Sequence, residues 1–70
     1  MLENLEKARK EENVTLLEMA NALGISRPDT VRKKIDGKYP FKFDEALTLK
    51  KKFFPDYDLT FLFSKKEYTH

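Results

Sequence analysis

Between Thr15 and Gly37 the chain reads TLLEMANALGISRPDTVRKKIDG, and within it two helix starts are separated by a single glycine. Thr15 is followed three residues later by Glu18, and Ser26 three residues later by Asp29. In each pair a hydroxyl can accept from an otherwise orphaned amide while a carboxylate reaches back to the cap. Gly24 stands where the first helix must stop in a left-handed conformation that glycine adopts cheaply. This spacing predicts a short helix, a tight turn and a second short helix. The second helix carries Arg27, Arg32, Lys33 and Lys34.

Seventy residues make one small domain. A chain of that size buries only about 60 % of its unfolded surface, so it must pack closely. There is no cysteine, which removes disulfides and thiolate metal sites. No apolar run is long enough to span a membrane. The N-terminal MLENLEKARKEEN is too charged for a signal peptide. A cytoplasmic location is the resulting expectation.

The net charge of +2 hides an uneven distribution. Residues 1–13 carry three bases against four acids, a balance of −1. Residues 26–42 carry six bases (Arg27, Arg32, Lys33, Lys34, Lys38 and Lys42) against Asp29 and Asp36, a balance of +4. Such a patch suits a polyanion; charge alone favours an ordinary solvated face, and the capping and turn pattern reverses that preference.

Periodicity predicts five helices and no strand. Helix 1 spans about 4–12, with Leu5 and Ala8 inward. Helix 2 is capped by Thr15 and turns Met19, Ala20 and Leu23 to one side. Helix 3 spans about 26–36 and starts at Ser26, with Pro28 in its first turn, where a missing amide is harmless. Its Val31 and Ile35 face the core, and Gly37 ends it. After the loop 38–42, helix 4 runs over about 43–53 with Phe43, Ala46, Leu47, Leu49 and Phe53 as apolar positions, and Pro55 terminates it. Asp58 caps a last helix over 59–63. The tail 64–70 reads as polar and frayed.

With Val31 and Ile35 inward, Lys33 and Asp29 fall on the opposite face of helix 3. Ser26 and Thr30 lie beside them, with Arg32 and Lys34 on the flanks. Arg27, Asp29, Thr30 and Lys33 are therefore the base-reading candidates for duplex DNA, since Arg or Lys to guanine is the commonest specific groove contact. Asp29 serves either as a capping carboxylate or as an acceptor from cytosine. Ser26, Arg32, Lys34, Lys38 and Lys42 are the phosphate candidates. Tyr39 either adds a backbone contact or packs on its loop. Tyr57, Phe61 and Phe63 crowd one C-terminal turn and do not obviously all face inward, which makes them candidates for a homodimer contact.

From about Asn4 to Phe63 the chain resembles the lambda-repressor-like helix-turn-helix family, the Xre/Cro-type regulators. The string T-x-x-E-M-A-x-x-L-G-I-S is similar to the family's helix and turn pattern. NLEKARKEENVT resembles its first helix, Ile35-Asp36-Gly37-Lys38 its helix-3 exit, FDEALTL its helix 4 and LTFLF its closing helix. Arg-Lys-Lys-Ile-Asp-Gly-Lys followed by Phe-Phe-Pro is similar to small regulators of phages and mobile elements of Gram-positive bacteria. The chain departs from the pattern at three places. Leu16 stands where members often carry a phosphate-supporting Gln, Pro28-Asp29 lengthens the start of helix 3, and residues 54–57 lengthen the last link.

The resemblance implies an all-α bundle of five short helices over residues 1–63, with helix 3 in the major groove of double-stranded DNA. It implies a Cro-like or minimal repressor, paired at least on DNA through its C-terminal end, that regulates transcription without a cofactor. The alternative is an antirepressor or antitoxin-like protein-interaction module on the same fold; a basic RNA-binding helical protein is disfavoured because no exposed aromatic platform is evident. Enzyme chemistry has little to build on. The single histidine is His70, the serines are Ser26 and Ser64, and neither a phosphate-cradling glycine loop nor a metal cluster is written in the chain. No small-molecule ligand is evident.

Overall fold

The computed structural model describes residues 1–64, and these form five helices: α1 (Glu3–Glu11), α2 (Leu16–Leu23), α3 (Pro28–Asp36), α4 (Phe43–Phe53) and α5 (Leu59–Leu62). The architecture is all-α, with no strand among the described residues. The predicted tail lies, from residue 65 on, outside them.

Three of the helices end in the same way. At Gly24 (φ 70°) the amide donates to Asn21 O, and the next amide, of Ile25, donates to Ala20 O. At Gly37 (φ 92°) the corresponding bonds run to Lys34 O and from Lys38 to Lys33 O. At Asn13 (φ 56°) they run to Lys10 O and from Val14 to Arg9 O. Each pair of bonds satisfies carbonyls that the helix end leaves orphaned. Asparagine tolerates the left-handed region because its side chain is short and polar. Asn13 carries no glycine signal, and its role was not anticipated from sequence.

The helix starts are local as well. Thr15 Oγ1 accepts from Glu18 N at 3.0 Å, and Glu18 Oε1 accepts from Thr15 N at 2.9 Å, so the predicted capping box is formed. Asp58 Oδ2 accepts from Phe61 N at 3.1 Å and starts α5 as expected. The start expected for α3 is corrected. Its cap is Arg27, in extended backbone, with Pro28 as first helical residue. Proline restricts the residue before it to extended conformations. Ser26 therefore stands one residue outside the helix and caps nothing, and the Ser26–Asp29 capping box is absent.

The core is contributed by every helix. Leu2, Leu5, Ala8, Met19, Ala20, Val31, Ile35, Leu49, Phe54 and Leu62 are all buried in one cluster. Each large side chain among them contributes roughly 1.5–3 kcal/mol by leaving water. α2 packs on α3 and α4, while α1 packs on α5 and α3. Two hydrogen bonds fix α1 between its neighbours: Leu2 N donates to Ile35 O at 2.7 Å, and Asn4 Nδ2 donates to Phe61 O at 3.1 Å.

Helix 4 differs from expectation in its apolar positions. Ala46 and Leu49 are buried and Leu47 and Phe53 half-buried, but Phe43 is 73 % exposed. At 100° per residue, Phe43 lies about a quarter turn off the line through Ala46 and Leu49. Phe54, one residue past the helix in non-helical backbone, is fully buried.

Candidate functional site

The outward side of α3 follows from its inward side. Val31 and Ile35 are both 0 % exposed, and this fixes the rotation of the helix. Lys33 and Asp29 are consequently exposed on the far face. Arg27, extended just before the helix, is exposed as well, with Nη2 3.9 Å from Asp29 Oδ2. Asp29 makes no capping bond; it stands beside Arg27 with 71 % of its side chain in solvent. Thr30 is half-buried and Ser26 exposed in the turn. Lys38 and Lys42 are exposed at either end of the loop after α3. Arg27, Asp29, Lys33 and Lys38 thus lie on α3 or at its ends with their side chains in water.

Two of the expected phosphate residues are engaged within the protein. Lys34 has only 12 % of its side chain exposed; its Nζ donates to Glu45 Oε1 and to Pro40 O, both at 3.1 Å. The same ammonium lies 5.7 Å from the centroid of the Phe41 ring. Arg32 points toward α1, where its Nη2 is 3.1 Å from Glu6 Oε2, and its Nη1 is 3.5 Å from Asp36 Oδ1. Lys34 and Arg32, both expected as phosphate residues, therefore each hold an internal ion pair. Both sit on the flanks of α3, and there a packed neighbour reaches them before solvent does.

Glu6 is the centre of this charge network. It is 8 % exposed, yet it stays ionised because Arg9 holds it by two bonds of 2.9 Å and Arg32 adds a second guanidinium. The Arg9 hydrogen bonds, opposed by partial burial and helped by Arg32, bring its carboxyl down to about 2. Arg9 is raised by the same pair and also donates to Val14 O at 3.0 Å. No periodicity rule reveals this trio, since it joins positions from two helices.

The C-terminal aromatics are less free than expected. Tyr57 is half-buried, edge-on to Phe54 with centroids 5.7 Å apart, and its one hydroxyl proton is shared between carboxylate oxygens of Glu11 and Glu12, each 3.1 Å away. Desolvation, with those carboxylates accepting its proton, pushes the phenol up to about 12. Phe63 meets Phe41 edge-on at 5.3 Å, and Phe61 packs against the core. Among the described residues the large exposed apolar side chains are instead Phe43 at 73 %, Met1 at 56 %, Leu17 at 54 % and Tyr39 at 49 %. Leu16, the second residue after Val14, is half-buried against the core.

Among the described residues no group of His, Asp and Glu is placed to hold a metal ion, and no helix is long and apolar enough to cross a membrane. Comparison of the chain with protein-family models, with curated proteins and with solved structures found no match.

Proposed function

We propose that this chain binds double-stranded DNA sequence-specifically and regulates transcription by occupying promoter DNA. One observation carries the reading: α3 follows α2 through a left-handed glycine turn, buries Val31 and Ile35, and leaves Arg27, Asp29 and Lys33 in solvent on the other side. That is the arrangement a helix needs to present side chains to base edges in a major groove. Lys33 and Arg27 are the guanine readers, with Asp29 facing cytosine or steering Arg27. Lys38 and Lys42 supply phosphate contacts, which add affinity without sequence information. The resemblance to lambda-repressor-like regulators supports the same assignment and adds a cytoplasmic location.

One such helix reads only a few base pairs, so two copies pair on a palindromic site about one helical turn between centres. Selection of bound sites from random duplex DNA tests the reading. A defined motif with two half-sites is the expected result, and recovery of no motif at all rejects it.

Leu17, 54 % exposed in the first turn of α2, favours a second reading in which this face meets a protein rather than a phosphate backbone. An antirepressor or antitoxin on this fold binds duplex DNA weakly and selects no motif, whereas a sequence-specific regulator prefers its selected site over random duplex at the same salt.

A further inference from the structure

The stretch Lys38-Tyr39-Pro40-Phe41-Lys42-Phe43 alternates cations with rings, and the fold makes a groove of it. The groove, about 630 Å³, lies between this loop, the start of α4 and α5. That volume falls within the roughly 300–1,000 Å³ typical of small-ligand sites. Its floor is already rigid. Phe41 is held edge-on by Phe63, and Lys34 ties the loop down through Pro40 O while lying over the Phe41 ring. Its rim is open: Tyr39 is 49 % and Phe43 73 % exposed.

The charge around the groove selects the occupant. Among the described residues, Lys34 and Lys42 line it and no carboxylate does. Lys34 is neutralised by Glu45, which leaves Lys42 and the adjoining, exposed Lys38 as the charges offered to a ligand. A second copy of this chain related by a two-fold axis through the groove would bring Lys42 against Lys42, so a self-contact here is opposed by like charge. A partner that is anionic along its length and flat in its side groups satisfies both the lysines and the two exposed rings. Bases stacking on aromatic side chains beside a cationic track is the general solution for single strands.

We propose that this groove binds unpaired nucleotides of a single strand, with Tyr39 and Phe43 stacking bases and Lys38 and Lys42 meeting the flanking phosphates. None of the solvent-facing residues of α3 lines the groove. Stacking on the two rings is therefore separable from base reading on α3, although Lys38 and Lys42 serve both. It also reinstates, on an observed platform, the single-strand chemistry that the sequence pattern alone disfavoured.

The test uses the full chain and a fluorescein-labelled oligo(dT) twelve-mer read by anisotropy, with the selected duplex site and polyglutamate as parallel probes. Stacking energies imply that Phe43→Ala and Tyr39→Ala each weaken oligo(dT) binding about tenfold, and Phe43→Ala is expected to leave duplex affinity within about twofold. Lys33→Ala is expected to do the reverse, so failure of the groove and failure of α3 are read separately. Phe43 is largely in solvent, and its removal is expected to leave the circular dichroism melt unchanged. Oligo(dT) bound no better than polyglutamate, or bound equally by wild type and the Phe43→Ala, Tyr39→Ala double variant, overturns the proposal. So does polyglutamate binding that itself depends on Phe43, which would assign the groove to an acidic peptide.

Discussion

Arg32 on α3 reaches Glu6 on α1, its Nη2 3.1 Å from Glu6 Oε2, and so fastens the basic helix to the first helix of the chain. With Arg9 on the same carboxylate, this is a largely enclosed ion triad. Its titration sets an acid limit on stability. The carboxyl lies at about 2 when folded, against 4.5 for a free glutamate. The folded-state value is the lower one, so the stabilisation is fully present above about 4.5 and is lost as pH falls toward about 2. The loss amounts to at most about 3 kcal/mol. Glu6→Gln is expected to cost about 2–4 kcal/mol at neutral pH, because two guanidiniums lose their carboxylate. It is also expected to flatten the acid limb. Urea titrations at several pH values measure both, and an unchanged acid limb in the variant contradicts the assignment.

Lys33 and Arg32 are sequence neighbours with opposite expected phenotypes. Lys33→Ala is expected to weaken specific duplex binding by about 1–3 kcal/mol and relax preference at one base pair, with stability unchanged within about 0.5 kcal/mol. Arg27→Ala behaves in the same way. Arg32→Ala is expected to lower the melting temperature instead, because its side chain braces Glu6. Comparing melting curves with binding to the selected site separates the two. A stable Arg32→Ala variant with lost DNA affinity would return that residue to the DNA face.

Salt dependence distinguishes the exposed lysines from the enclosed one. Removing Lys38 or Lys42 is expected to lessen the slope of log affinity against log salt by about one unit each. Removing Lys34 leaves the slope nearly unchanged but destabilises the loop, since Nζ holds both Glu45 and Pro40 O. Affinity measured between low and moderate salt gives these slopes directly. Equal slopes for wild type and the Lys38→Ala, Lys42→Ala double variant would leave both as ordinary solvated residues.

Gly24 isolates a backbone effect. Its φ is +70°, and an added Cβ meets nothing within 4 Å, so any cost of substitution comes from conformation and not from crowding. Gly24→Val is expected to destabilise by about 1–3 kcal/mol, and Gly24→Asn by clearly less, since asparagine accepts the left-handed region. Thermal melts rank the two, and equal melting temperatures for both variants and wild type would remove the turn constraint.

The C-terminal aromatics are expected to act on stability before assembly. Phe61→Ala and Phe63→Ala each remove an internal contact and should cost about 1–3 kcal/mol. Sedimentation of the free chain and of its DNA complex then tests pairing. A single copy on each selected site, without a palindrome, removes the dimer and leaves the base-reading assignment intact.

The helix boundaries were readable because their causes are close in sequence. The Thr15–Glu18 box, the left-handed glycines at 24 and 37, Pro55 after α4 and Asp58 before α5 each act within a few residues. Where a boundary was misplaced, a local rule was still at work: Pro28 forces Arg27 into extended backbone and displaces Ser26 from the cap. Asn13 was missed because an asparagine ends a helix less often than a glycine, although the hydrogen bonds it makes are the same. Burial and pairing were not readable in this way. Phe43 and Phe54 are the same residue type at the two ends of α4, yet Phe43 faces water about a quarter turn off the buried line while Phe54, in non-helical backbone past the helix end, enters the core. Likewise Lys33 and Lys34 are adjacent and identical. One stays in water because Val31 and Ile35 point the other way, and the other is drawn inside because Glu45 and Pro40 O come within 3.1 Å of it. Caps and turns are satisfied by neighbours along the chain, whereas the exposure of a side chain is set by whichever distant element packs against its face.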